Sequence, residues 1–113
     1  MAKKINLNDY LGHSMDCTCG KEHKTNLKIV DIDKDAVSRL PKHIEALGYK
    51  KPFLVADVNT WAAAGALVAE KLDVAGISYK KYIFNEKELI PDEKTLGSLM
   101  MAFPRDCDVI IAI

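Results

Sequence analysis

The chain has 113 residues, 49% of them hydrophobic and 28% charged, which is the composition of one ordinary soluble domain. Its 16 basic and 16 acidic residues balance, so no cationic excess points to nucleic acid or to an anionic membrane. No apolar run approaches the roughly 20 residues that a membrane span needs. Three cysteines, an odd count, argue against a disulfide framework. With no apolar signal core at the amino terminus, these features predict a cytoplasmic protein.

Residues 1–26 are polar, rich in turn formers and without clear periodicity, so we interpret them as an amino-terminal extension. The β-rich run Leu27–Ile32 (LKIVDI) predicts the first strand of a domain that covers residues 27–113. The next apolar residues recur at near-helical spacing and end at Gly48, namely Val37, Leu40, Ile44 and Leu47. Pro41 fits best in the first turn of a helix, so we expect a kinked helix here or a turn followed by a second helix.

The continuous apolar run Phe53–Ala56 is typical of a parallel strand that is buried on both faces. Asn59 or Thr60 can cap the alanine-rich helix that follows, which ends at Gly76. The remaining segments predict a strand, a helix and a last strand at 80–84, 92–102 and 108–113. Alternating strands and helices predict an α/β fold, in which a parallel sheet carries helices on both faces.

Five short motifs occur in an order and at spacings that resemble one protein family. They are CTCGKEH (17–23), LVADVNT (54–60), AAG (63–65), IPDE (90–93) and DVIIAI (108–113). From about residue 11 to the end, the chain resembles the amino-terminal part of glycerol-1-phosphate dehydrogenases, in the iron-containing alcohol dehydrogenase superfamily. Glycerol dehydrogenase and dehydroquinate synthase belong to the same superfamily.

The resemblance implies a partial Rossmann-like nucleotide-binding domain, preceded by a β-hairpin. A full-length family protein uses NAD or NADP to oxidise glycerol phosphate or another polyol, with a divalent metal (zinc, nickel or iron), and forms homo-oligomers. In the family, a glycine-rich phosphate loop follows the strand that matches DVIIAI, and the metal ligands belong to a later helical domain. This chain contains no G-x-G-x-x-G motif. We therefore expect the 113 residues to be a fragment that is not catalytic alone and holds no catalytic residue or metal ligand.

Asp57, which ends the FLVAD strand, matches the family's acidic residue at the adenosine ribose of the cofactor. A carboxylate at the carboxyl end of a parallel strand can accept hydrogen bonds from two ribose hydroxyls, and it would repel the 2′-phosphate of NADP. Capping of the next helix is the alternative role of Asp57. Asn59 and Thr60 follow in the same loop, and we count them as candidate cofactor contacts whose default role is also capping.

Cys17, Cys19 and His23 form the pattern C-x-C-G-x-x-H, and His13 lies upstream. These residue types can bind zinc, but structural zinc sites usually space their cysteines as C-x₂₋₄-C. A reactive thiol is a second alternative. The resemblance favours a third, a hairpin turn without metal. Cys107 is expected to be a small buried apolar residue.

Two other functions remain open. A stand-alone, non-catalytic binding or interaction module could use the apolar last strand to pair with another chain. A dehydroquinate synthase-like fragment would share the fold and the cofactor, although the CTCGKEH segment favours the glycerol-1-phosphate branch.

Overall fold

The computed structural model describes residues 6–113, in which two compact units divide between Lys34 and Asp35. The first unit contains a 3₁₀ helix, Leu7–Tyr10, and two short strands, β1 (Ser14–Met15) and β2 (His23–Lys24). The strands pair antiparallel, with Met15 opposite His23. This pair is the hairpin that the resemblance implied. None of residues 6–34 is buried, so this unit has no hydrophobic core of its own among its described residues.

The prediction of a first strand at Leu27–Ile32 is wrong, because the structure places this run in no helix or strand. Leu27 and Ile32 are 58% and 82% exposed. A β-rich run becomes a strand only where its backbone groups find a partner strand, and no described strand pairs with this segment. The predicted boundary between an amino-terminal extension (1–26) and a nucleotide-binding domain (27–113) stays a prediction.

The second unit alternates helices and strands in the predicted order. Its elements are α1 (Ala36–Ala46), β3 (Pro52–Asp57), α2 (Val58–Thr60), a π-helical turn (Trp61–Gly65), α3 (Ala66–Val74), β4 (Lys80–Phe84), α4 (Glu93–Ala102) and β5 (Val109–Ala112). Gly48 and Gly76 follow α1 and α3 with φ of 80° and 71°, the left-handed conformation that commonly ends a helix.

Helix α1 is one continuous helix through Pro41, so the alternative of a turn followed by a second helix is wrong, and Pro41 lies in the helix interior and not in the first turn. Proline lacks the N–H that would bond to the preceding turn, which normally weakens a helix. Pro41 is nevertheless buried, as is Ile44. Because tertiary packing supplies most of the stability of a helix in a protein, burial of this face can outweigh one lost hydrogen bond.

The three strands of this unit form a parallel sheet in the order β4-β3-β5. The central strand, β3, is almost wholly buried, as expected for a parallel strand covered on both faces. Leu54 packs in one cluster with buried residues of α1 and α3, namely Ile44, Val68, Ala69 and Leu72. Phe53 points the other way and meets Phe103, just after α4, with ring centroids 5.5 Å apart. The predicted α/β fold with flanking helices is confirmed.

No helix within residues 6–113 combines the length and the apolar character required to cross a membrane.

Candidate functional site

Asp57 lies where β3 ends and α2 begins, and its carboxylate caps the helix. One carboxylate oxygen, Oδ1, accepts hydrogen bonds from the backbone N–H groups of Asn59 and Thr60, both at 2.8 Å. The Thr60 hydroxyl accepts in return from the Asp57 N–H at 3.0 Å, which completes a capping box. The three candidate cofactor residues are thus brought together by one local network.

The N-cap of this helix is Asp57, which confirms the alternative role expected for Asp57, whereas the expectation that Asn59 or Thr60 caps the helix is wrong. Asp57 is half-buried, and its backbone is extended, as an N-cap requires. The Thr60 hydroxyl also donates to the Asp57 carbonyl at 3.4 Å, so it bonds to the Asp57 backbone both as donor and as acceptor. A cofactor contact by Asn59 or Thr60 stays a prediction.

The second oxygen of Asp57, Oδ2, has no hydrogen-bond partner within residues 6–113, since both capping bonds go to Oδ1. The residue can therefore cap the helix with one oxygen and bind a hydroxyl group with the other. The capping role and the predicted ribose role are compatible in this geometry.

A cavity of about 510 Å³ lies at the same end of the sheet, beside Phe84, the register partner of Asp57. Its other lining residues come from the start of α4, including Asp92 and Thr95. Asp92 caps α4 by accepting from the Thr95 N–H at 2.8 Å, and this bond lowers the pKa of Asp92. A smaller cavity, about 130 Å³, lies at the opposite end of the sheet, around Pro52 and Lys80. Only the first is at the carboxyl edge, where ligands of open α/β sheets bind.

Trp61 packs against the core cluster, and Lys81 lies over its ring at 4.6 Å from the centroid. Cys107 was expected to be buried but is only half-buried, and this partial burial raises the pKa of its thiol.

The loop between β1 and β2 brings two thiols and an imidazole together. The potential ligand atoms of Cys17, Cys19 and His23 all lie within 4.8 Å of one another, and the Cys19 sulfur is 3.0 Å from His23 Nε2. His13, the fourth ligand considered from sequence, is not part of this group. The Cys19 N–H points at the Cys17 sulfur at 3.5 Å, and hydrogen bonding by Cys19 lowers the pKa of Cys17.

Comparison with known proteins identifies the family. Five curated proteins match, and each is named glycerol-1-phosphate dehydrogenase (NAD(P)+). The relative from Halalkalibacterium halodurans is 33% identical over 102 residues, which are 87% of this chain and 26% of its own length. The one from Bacillus velezensis is 34% identical over 84 residues, 72% of this chain and 21% of its length. The chain belongs to the glycerol-1-phosphate dehydrogenase family.

The alignments to this family cover most of this chain but only a small part of the length of each relative. The glycerol-1-phosphate dehydrogenase of Geobacillus stearothermophilus, 25% identical, aligns with 95% of this chain and 28% of its own length. The chain thus spans about a quarter of the curated relatives that it matches. No protein-family model matches the chain, and no solved structure matches it significantly.

Proposed function

We propose that the chain is the NAD-binding portion of a metal-dependent glycerol-1-phosphate dehydrogenase-like oxidoreductase. The observation that carries the proposal is the position of Asp57 at the carboxyl end of the central parallel strand, with Oδ2 free of partners within residues 6–113. The names of the relatives, which include NAD(P)+, support the cofactor class. All five carry the glycerol-1-phosphate name, so they do not support the dehydroquinate synthase alternative.

Asp57 would bind the adenosine ribose of the cofactor. Its Oδ2 can accept hydrogen bonds from the ribose hydroxyls while Oδ1 keeps the helix cap in place. Because the capping box fixes the side chain before any ligand arrives, little conformational entropy is lost on binding. The same negative charge would repel a 2′-phosphate, so we infer a preference for NAD over NADP.

The whole enzyme would catalyse hydride transfer between glycerol phosphate, or a related polyol, and the nicotinamide. A divalent metal in such an enzyme polarises the alcohol oxygen as a Lewis acid. We place the residues for that chemistry outside these 113 residues, as the resemblance implies, so the role of this chain is to bind and orient the cofactor. We therefore expect no oxidation of glycerol phosphate by the chain alone.

Calorimetric titration of the chain with NAD and with NADP tests this role. Asparagine is as good an N-cap as aspartate, so Asp57→Asn keeps the cap but loses the charge and the Oδ2 acceptor. A hydrogen bond to a charged group contributes about 1.5–3 kcal/mol, so NAD affinity should fall about ten- to a hundredfold. Thermal unfolding should stay close to that of the unmodified chain.

Glu70→Gln, which removes an exposed carboxylate from α3, is the matched control and should leave NAD binding unchanged. Equal NAD affinity in Asp57→Asn and the unmodified chain would contradict the assignment of Asp57. A folded chain that binds no NAD would contradict the proposal that this part of the family protein binds the cofactor.

A further inference from the structure

The loop that joins β1 to β2 holds three metal-binding atoms that the proposed cofactor role does not use. They belong to Cys17, Cys19 and His23, which we call the thiol–histidine cluster. All three residues are exposed, so an ion can reach them from solvent. His23 lies in β2, where pairing with Met15 fixes its backbone, while both cysteines lie in the connecting loop.

Local hydrogen bonds hold the loop in a conformation in which a backbone N–H group contacts each sulfur. The Gly20 N–H donates to the Cys17 carbonyl at 3.2 Å, and Gly20 has φ of 76°, which permits the chain to reverse there. The Lys21 N–H lies 3.4 Å from the Cys19 sulfur.

The spacing of the three atoms fits a tetrahedral zinc ion after small side-chain movements. Zinc binds sulfur at about 2.3 Å and imidazole nitrogen at about 2.0–2.1 Å, so ligand atoms around one ion lie roughly 3.5–3.8 Å apart. The atoms of the cluster already lie within 4.8 Å of one another. One residue between the cysteines is fewer than in common zinc motifs, but the three-dimensional spacing decides whether the ligands can meet one ion.

Two thiolates and an imidazole are ligands that bind zinc well, whereas magnesium and calcium bind oxygen ligands. They leave the fourth tetrahedral position to water or to another side chain. His13 and Glu22 line a cavity together with His23, so either side chain is a candidate for that fourth ligand after a rotation. Because no residue in 6–34 is buried, a bound ion would also replace the missing core as the source of local stability.

We propose that Cys17, Cys19 and His23 bind one zinc ion, which stabilises the β1–β2 hairpin. Binding converts two thiols to thiolates and releases their protons to solvent, with no change in oxidation state. The site is structural, and its ion takes no part in the hydride transfer proposed above.

The test is titration of the reduced, metal-free chain with Zn²⁺, followed by chelator competition and by mass spectrometry under native conditions. We expect one ion per chain. Cys17→Ser, Cys19→Ser and His23→Gln should each weaken zinc binding at least tenfold, whereas Cys107→Ser, which removes the remaining cysteine, should not. Co²⁺ should give a thiolate-to-metal charge-transfer absorption that the two loop serine variants lose or reduce.

Several results would overturn the proposal. One is the absence of zinc binding by the reduced chain. The others are zinc binding that survives in the cluster variants and a Cys17–Cys19 disulfide that persists under reducing conditions. His13→Gln and Glu22→Gln decide the fourth ligand: weaker binding in one variant assigns it to that side chain, and unchanged binding in both assigns it to water with the three-residue site intact. Fluorescence of Trp61, in the other unit, verifies that residues 35–113 still fold in every variant. NAD titrations of the same variants should be unchanged, so failure here is separable from failure of the cofactor proposal.

Discussion

Asp108 is the residue that joins the starts of two neighbouring strands. Its carboxylate oxygens accept hydrogen bonds from the backbone N–H groups of Lys50 and Lys51, each at 2.8 Å, just before β3 begins. The Asp108 N–H donates in turn to the Lys51 carbonyl at 3.1 Å. These bonds to the carboxylate lower the pKa of Asp108 below its ordinary value. The side chain thus acts as part of the sheet although it is exposed.

This lowered pKa predicts a pH-dependent contribution to stability. The folded protein holds the carboxylate form more strongly than the unfolded chain does, so the contribution is complete above the ordinary carboxyl pKa of about 4. It is lost as the pH falls from there through the lower folded pKa. Asp108→Asn should therefore reduce the free energy of unfolding at neutral pH, and the difference from the unmodified chain should shrink in acid.

Urea denaturation across this pH range measures the effect, and Asp106→Asn is the matched control. Asp106 pairs with Lys80 at 3.0 Å and with Lys51 at 3.8 Å on the surface, and this contact also lowers its pKa. Added salt should reduce the effect of Asp106→Asn more than that of Asp108→Asn, because exposed ion pairs are screened. A pH-independent loss in Asp108→Asn would show that its carboxylate charge is unimportant.

Among the elements, the helix after β3 departs from regular geometry at Trp61–Gly65, where one turn is π-helical. A Cβ atom on Gly65 would overlap Trp61 Cε3 and lie 2.9 Å from Cδ2. The φ of Gly65 is −59°, so its backbone suits any residue. Glycine is therefore required here for the close approach of the indole ring and not for its conformational freedom.

Gly65→Ala should destabilise the protein, because the clash forces Trp61 away from the core and from Lys81. Overpacking of this kind costs about 1–3 kcal/mol, which exceeds the roughly 0.5–1 kcal/mol by which alanine favours a helix. Gly97→Ala in α4 is the control, since nothing lies within 4 Å of its added Cβ, and it should stabilise by about 0.4–1 kcal/mol. Chemical denaturation followed by the fluorescence of the chain's one tryptophan measures both. Equal stabilisation by the two substitutions would contradict this account.

Sequence patterns predicted the elements well where local signals agreed with tertiary packing. The apolar run Phe53–Ala56 predicted the position of β3 to within one residue at each end, and Gly76 correctly predicted where α3 ends. The sequence patterns failed at Leu27–Ile32, because strand formation depends on a partner strand that sequence periodicity does not reveal. The order of the elements was predictable, and capping by Asp57 was one of its two expected roles, but the π-helical turn depends on contacts made only in the folded chain.

At the scale of the whole molecule, the core found within residues 6–113 is confined to residues 35–113, and no described strand pairs with either outer edge of the three-stranded sheet. Every residue of the described part of the chain that is buried lies in this unit, around β3. On one side the sheet ends at β5, which pairs only with β3 among the described strands. Ile110 in β5 is 53% exposed. An unpaired strand edge with an exposed apolar side chain is prone to pair with another chain.

We therefore predict that the 113-residue chain self-associates as its concentration rises, and that Ile110→Lys weakens this association. A charged side chain on an edge strand opposes pairing, because it would have to be desolvated against the incoming chain. Val74→Lys is the matched control: Val74 is 82% exposed at the end of α3, so the variant adds the same charge away from the edge. Sedimentation velocity over a series of concentrations should show a lower average mass for Ile110→Lys than for Val74→Lys. A chain that stays monomeric at high concentration, or equal effects of the two lysines, would show that the β5 edge does not direct association.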